Sequence, residues 1–322
     1  MIFDRVRGQR RAAQALEGFL KTRNIPSALL FAGPEGVGKT LMAREFAKAL
    51  LCRAPTQSLM EHGTGGSAPC AVCPDCLAIE KGIHPDAKAV NAAYQASLRE
   101  EDPGRQKTLR VETIRHLRQD MELQSMLGGW KLAIIENAQT LEIEAANALL
   151  KILEEPPPLT LWILAATQRE RLPKTIASRC QTVAFVPLSA RDIESLLAER
   201  GLGPEEATRL AGLCDGSMSR ALELAQSPGY PASLTEGALA PFAAADALPR
   251  ELHLARSQAE IALFALAQDL RLRHLRGEEP FSRVEAPLRE IGRLRQALRS
   301  NADPRLILSL AAIETQTASR NR

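Results

Sequence analysis

Apolar residues follow two rhythms along the chain, one after the other. In the first half, short unbroken apolar runs alternate with stretches whose apolar residues recur every three or four positions. "SALLFAG", "KLAIIENA" and "TLWILAAT" are runs of the first kind and predict buried strands. Residues 9–22, "TLMAREFAKALL", "VETIRHLRQDMELQ" and "EIEAANALLKILEE" carry the helical spacing, and Pro156, Pro157 and Pro158 stop the last of them. Strands alternating with helices predict an α/β fold with a mostly parallel sheet covered on both faces. Residues 53–69, rich in Gly, Pro and Ser, break this pattern and predict an irregular insertion.

The second rhythm begins after "VAFVPLS". Short helical stretches run from Ser189 to about Gln226, and a Pro/Gly/Ala-rich link follows. From about 250 onward the pattern is wholly helical. Leu288, Ile291, Leu294 and Leu298 form one stripe, and Leu306, Leu310 and Ile313 form another after the break at "NADP". The expected division is a sheet domain over 1–187 with an inserted module at about 50–80. A small helical domain over 188–230 and a terminal helical domain over 231–322 complete it. There is no internal repeat.

Composition narrows the class without naming a function. The 322 residues are 45% hydrophobic and 25% charged, as in ordinary globular proteins, and only 4% aromatic. No apolar run reaches the roughly 18 residues needed to span a bilayer. The N-terminus carries Asp4 and no apolar segment, so a secretory signal is not expected. The net charge of +3 is too mild to argue nucleic-acid binding by itself. Six cysteines without a secretory signal point to a reducing, cytoplasmic setting and to metal rather than disulfides.

Two motifs carry chemistry. "GPEGVGKT", Gly33 to Thr40, matches G-x-x-x-x-G-K-[ST] between an expected strand and an expected helix. Gly33, Gly36 and Gly38 let the backbone turn its N–H groups toward one anion at the helix N-terminus. Lys39 would reach the β and γ phosphates of ATP, and the Thr40 hydroxyl would hold Mg²⁺. Hydrolysis also needs an acidic residue ending a second strand and a carboxylate that polarises water. Here that strand ends in Glu136 and Asn137; Glu136 can contact Mg²⁺, but a neutral amide is no base. Glu142 or Glu144 is the alternative source of that carboxylate. The second motif is Cys70, Cys73 and Cys76, spaced C-x₂-C-x₂-C, with Cys52 across the insertion. Four thiolates can close a tetrahedral structural zinc site. An iron–sulfur cluster and a redox dithiol are the competing readings. His84 in "HPD" is either a further ligand or a turn residue, and Cys180 and Cys214 read as small buried residues.

In this order, "GPEGVGKT", the cysteine triplet, "GIHPD", "NALLKILEEPP", "LPKTIASRC" and "LRQALRSNADPRL" resemble the clamp-loader subunits of bacterial DNA polymerase III, which are AAA+ proteins. The resemblance covers nearly the whole chain. It implies an AAA+ P-loop domain with the inserted zinc module, a helical lid, and an all-helical collar domain. Within the family the ATP-hydrolysing gamma/tau type carries Asp-Glu where this chain has Glu136-Asn137. That type also has a sensor arginine where "GSMSRAL" places Ser219, with Arg220 one residue on. These departures resemble the delta-prime type. The resemblance further implies that Arg179 of "SRC" acts in trans on ATP bound to a neighbouring subunit, and it places Thr167 at the first sensor position. Thr167 as a mere strand cap, and Arg179 as a surface arginine paired with a carboxylate, are the bland alternatives.

The implied function is that of a subunit of a hetero-pentameric loader with gamma/tau and delta subunits. It would help open the sliding clamp on primed DNA while hydrolysing little or no ATP itself, as part of the polymerase holoenzyme. Arg110, Arg115 and Arg118 are candidates for DNA-backbone contact, against the simpler reading of a solvated helix face. Two other functions compete: a hydrolysing gamma/tau-type motor subunit, and an unrelated P-loop nucleotide kinase with a zinc lid.

Overall fold

The computed structural model describes residues 2–53, 68–106, 108–226, 245–300 and 302–320. Most of the expected insertion (54–67) and of the expected link (227–244) lies outside the described residues. The chain divides into two units, Met1–Leu188 and Ser189–Arg322.

The first unit follows the alternating rhythm. Its helices are α1 (Arg10–Thr22), α2 (Lys39–Leu51), α3 (Pro74–Glu80), α4 (Ala92–Ser97), α5 (Val111–Glu122), α6 (Ile143–Glu154) and α7 (Lys174–Ala177). Its strands are β1 (Ala28–Ala32), β2 (Ala87–Val90), β3 (Lys131–Ile135), β4 (Thr160–Ala166) and β5 (Gln181–Ala184), all parallel, in the order β2-β3-β4-β1-β5. The three expected strands are the three central ones. A strand buried on both faces needs apolar residues at every position, and that makes the run visible in the sequence.

Alternation then divides each strand between two cores. Ala28, Leu30, Ala133, Ile135, Trp162 and Leu164 face α5, α6 and α7. Leu29, Phe31, Leu132, Ile134, Leu161 and Ile163 face α1 and α2, with Phe46 and Phe3 filling that side. The edge strands β2 and β5 carry no such signal. Each has only four residues, and in β5 only Val183 is buried.

The second unit is helical, as its rhythm predicts. It contains α8 (Ala190–Ala198), α9 (Pro204–Leu213), α10 (Met218–Gln226), α11 (Leu252–Leu275), α12 (Phe281–Arg299) and α13 (Pro304–Arg320). Ser189 starts it by capping α8: its Oγ accepts the Asp192 N–H at 3.1 Å. The last three helices share one core, in which Ile291, Leu294 and Leu298 of α12 are buried as expected. The stripe read on α13 is the outward one. Ile307, Leu308, Ala311 and Ala312 are buried, while Leu306, Leu310 and Ile313 are exposed. Both sets have helical spacing, so periodicity alone cannot say which faces the core.

Candidate functional site

β1 runs directly into the phosphate loop, and the loop's fit depends on its glycines. The Gly33 N–H donates to the Ala166 carbonyl at 3.2 Å, tying the loop to the end of β4. A Cβ at Gly33 would stand 2.4 Å from the Phe185 carbonyl oxygen, so no side chain fits there. Gly36 and Gly38 have φ of 75° and 98°, a region that favours glycine. α2 begins at Lys39, so Lys39 and Thr40 form its first turn. The Lys39 ammonium donates to the carbonyls of Gly33 (2.7 Å) and Pro34 in its own loop. Burial draws its pKa down to about 8, against the opposing pull of Glu35.

The strand ends beside the loop bring the other expected residues to the same edge of the sheet. That carboxyl edge is where open α/β sheets bind ligands. The Glu136 N–H donates to the Val90 carbonyl, and its Oε2 accepts from Asn91 Nδ2 at 3.3 Å. Arg44 of α2 approaches Glu136 Oε1 at 3.7 Å. The Thr167 N–H donates to Gln139 Oε1 at 3.3 Å. Two buried oxygens here, Glu136 Oε1 and Thr167 Oγ1, have no hydrogen-bond partner among the described residues. Buried polar atoms are rarely left so; the carboxylate oxygen suits a hydrated cation, and the threonine hydroxyl can donate to a phosphate or a water. Asn137 is exposed, with φ 51° and ψ 46°. Arg44, Asn91 and Gln139 have no sequence signature, because nothing local marks a polar residue that becomes a neighbour only through sheet pairing.

The arginine corner is separate and lies on the surface. Arg179 follows α7, whose Ile176 and Ala177 are buried while Ser178 and Arg179 are exposed. One guanidinium nitrogen of Arg179 pairs with Glu154 Oε1 at 2.7 Å, and the other donates to the Thr175 carbonyl at 3.0 Å. Cys180 is buried in the adjoining core, where burial pushes its thiol up to about 11. Arg110, Arg115 and Arg118 cluster at the start and along the face of α5. Arg110 lies 3.6 Å from Glu101, and Arg118 donates to Glu122 at 2.6 Å. Arg115 is exposed and has no ion pair among the described residues. In the second unit, Arg220 stacks 4.2 Å above the Phe264 ring.

The four expected cysteines converge. The sulfurs of Cys52, Cys70, Cys73 and Cys76 all lie within 4.8 Å of one another, with Cys52 3.5 Å from Cys70 and 3.9 Å from Cys73. Four thiolates about 2.3 Å from a zinc ion stand about 3.8 Å apart, so the donor set fits zinc. Backbone N–H groups of Cys70, Cys73 and Cys76 point at Cys52, Cys70 and Cys73 sulfur respectively. The N–H groups of Val72 and Cys73 pull the Cys70 thiol down to about 6, while burial pushes Cys76 up. His84 is no fifth donor. Its Nδ1 accepts the Asp86 N–H at 3.1 Å, and its Nε2 faces Asp75 at 3.6 Å. Asp86 in turn accepts from Ser125 Oγ and from the N–H groups of Met126 and Leu127. "GIHPD" is therefore a turn that joins the cysteine module to the sheet, with His84 and Asp86 buried and Ile83 and Pro85 exposed.

Behind the cradle lies a charged network with no sequence signature. Lys48 of α2, almost fully buried, bonds Glu45 at 2.8 Å and also Glu80 of α3, and Arg5 meets both carboxylates. It ties the chain's start, the cradle's helix and the cysteine module together.

Comparison with known proteins fits this geometry. The family model "DNA polymerase III, delta subunit" matches residues 8–189. The delta′ subunit of Bacillus subtilis DNA polymerase III is 32% identical over 69% of this chain and 60% of its own length. The tau/gamma subunit of Haemophilus influenzae is 35% identical over 61% of this chain and 25% of its own. The tau subunit of Escherichia coli is 34% identical over 69% of this chain and 32% of its own. The match thus spans less than two thirds of each of these relatives. A gamma-subunit-related protein of Thermotoga maritima, at 16% identity, shares the fold over 96% of this chain and all of its own, with a TM-score of 0.54. No helix among the described residues is long and apolar enough to cross a membrane. With a five-stranded parallel sheet, a glycine loop between β1 and α2 and the cysteine cluster in place, the chain belongs to the DNA polymerase III clamp-loader subunit family.

Proposed function

We propose that this chain is a delta-prime-type subunit of the clamp loader. It keeps a nucleotide cradle, hydrolyses little or no ATP itself, and presents Arg179 to ATP held by a neighbouring subunit. The observation that carries this reading is Asn137: an exposed amide stands after Glu136, where hydrolysis needs a carboxylate on water. The alternative carboxylates give little help. Glu142 already accepts from Thr108 Oγ1 at 2.8 Å, and Glu144 is exposed in the first turn of α6. A guanidinium brought to a neighbour's γ-phosphate neutralises charge developing in the transition state.

The rest of the reading follows the family. Gly33, Gly36, Gly38, Lys39 and Thr40 would hold the phosphates and Mg²⁺, with Glu136 and Thr167 beside them. Cys52, Cys70, Cys73 and Cys76 would hold a structural zinc, which supplies cohesion and no chemistry. The helices of 231–322 would join the collar of a hetero-pentamer with gamma/tau and delta subunits, and the exposed stripe of Leu306, Leu310 and Ile313 suits such a contact. Primed DNA would meet the subunit through backbone phosphates. Arg115 is best placed for this, since Arg110 and Arg118 already face carboxylates. The setting is the cytoplasm, beside the sliding clamp. A gamma/tau-type motor is the second reading, favoured by the complete cradle and by the comparable identity to tau relatives. Family membership leaves the kinase reading without support.

Steady-state ATPase of the purified chain, alone and in the reconstituted loader, separates the two. The chain alone is expected to turn over little ATP. In the loader, Arg179→Ala is expected to slow hydrolysis at the site it serves by roughly 10³-fold while assembly is retained. Substantial turnover by the isolated chain that Lys39→Ala abolishes would establish the motor reading instead.

A further inference from the structure

The guanidinium that serves as the finger is already held within its own chain, by a residue no role has so far explained. α6 ends at Glu154, where three prolines prevent any continuation. That stop sets the Glu154 carboxylate at the last helical position, exposed, beside α7. One nitrogen of Arg179 reaches its Oε1 at 2.7 Å, and the other reaches the Thr175 carbonyl at 3.0 Å. Both terminal nitrogens of the fork are therefore committed. They are the same donors that a phosphate would take bidentately.

We infer that Glu154 is a positioning residue for Arg179: a carboxylate that holds the finger and that the neighbour's ATP must displace. The inference rests on the trans role of Arg179. The pair has the properties such an exchange requires. Both side chains are more than a third exposed, 38% for Arg179 and 44% for Glu154, so the ion pair is screened by water and opens readily. A γ-phosphate carries more charge than one carboxylate and matches the fork at least as well. Glu155, the next residue, is exposed too, but the Arg179 ion pair is made with Glu154. The two glutamates of "LEEPP" are thus distinct in role.

Displacement has a definite kinetic signature. While Glu154 occupies the fork, part of the binding free energy of ATP goes into separating the pair. Its removal should therefore lower the KM for ATP at the served site and leave kcat nearly unchanged, because the finger in the transition state is the same. An exposed ion pair of this kind supports about a two- to five-fold change.

The test is ATPase of the reconstituted loader carrying Glu154→Gln, Glu155→Gln, Arg179→Ala, or Glu154→Gln with Arg179→Ala. Circular dichroism checks that each variant chain is folded. A two- to five-fold lower KM in Glu154→Gln, absent from Glu155→Gln and abolished in the double variant, supports the inference. A purely structural role for Glu154 would persist in the double variant, and that outcome overturns it. If Arg179→Ala slows the loader but Glu154→Gln leaves KM unchanged, the holding role fails while the trans finger stands. If Arg179→Ala itself changes nothing, the underlying functional reading fails first.

Discussion

Lys39 and Arg179 are the two cations this chain would offer to the phosphates of ATP, and the protein treats them in opposite ways. Lys39 is set into the fold. It opens α2, its ammonium is held by carbonyls of its own loop, and burial draws its pKa down to about 8. Arg179 follows a four-residue helix, exposed, held by one carboxylate and one carbonyl. The cradle's neighbourhood is therefore built into the fold, whereas the corner's is held only at the surface. Substitutions on the two sides should separate along the same line.

The largest effect is expected behind the cradle. Lys48 lies on the same helix as Lys39 and carries its charge almost fully buried between Glu45 and Glu80. Lys48→Ala leaves Glu45 buried, with Arg5 at 2.8 Å as its remaining cation. Breaking a buried pair typically costs about 3–5 kcal/mol, and the surviving Arg5 contact places this case near about 3. Urea unfolding of the full chain measures it. A loss below about 1 kcal/mol would class this network with ordinary surface pairs and remove the contrast between the two sides.

These neighbourhoods also explain what could be read from the chain. The place of "GPEGVGKT" was legible because an unbroken apolar run precedes it and a helical spacing follows it, and the loop does join β1 to α2. The central strands were legible because full burial demands unbroken apolar runs such as "LWILAA". The convergence of the four cysteines was legible because a shared tetrahedral site would demand such spacing, and their sulfurs do lie within 4.8 Å of one another. What stayed hidden depends on distant residues meeting. β2 and β5 are short edge strands. The Lys48 network joins residues 5, 45, 48 and 80, and Asn91 reaches Glu136 only because β2 pairs with β3. The outward orientation of Leu306 and Leu310 was hidden for another reason: two helical stripes competed and the core chose Ile307 and Leu308.

The intermediate effect is a pH dependence of the cradle. Lys39 ionises near 8 in the folded chain against an ordinary 10.5, because burial disfavours its charged form. In the unfolded chain the ammonium keeps its proton up to about 10.5. The penalty on the fold is therefore full below pH 8 and is relieved as pH rises from 8 toward 10.5. Nucleotide binding runs the other way, since the phosphates need the ammonium. Affinity for ATP is expected to be level below pH 8 and to weaken above it, by up to about tenfold per pH unit. Equilibrium titration of the isolated chain with ATP across pH 7 to 10 reads this, and Lys39→Met should flatten the profile. A profile that stays flat through pH 9 in the unsubstituted chain, with affinity still lost in Lys39→Met, would mean that the ammonium keeps its proton well above pH 8. A flat profile with no loss in Lys39→Met would mean that Lys39 does not bind the phosphates.

The smallest effect on stability is expected at the arginine corner, where the largest effect on a neighbour's chemistry is proposed. Arg179→Ala removes an ion pair whose partners are both substantially in water, and such pairs contribute about 0.2–1 kcal/mol, less as salt is added. The Thr175 carbonyl keeps the Ser178 Oγ donor at 3.1 Å and, in an exposed residue, is also open to water. The buried part of this segment, Ile176, Ala177 and Cys180, is untouched and keeps α7 seated on the core. The unfolding midpoint in urea should therefore move little, and by less still at 0.5 M salt. A loss above about 2 kcal/mol would mean that Arg179 is built into the fold as Lys39 is. Loss of loader activity in Arg179→Ala could then no longer be assigned to chemistry at a neighbour's ATP.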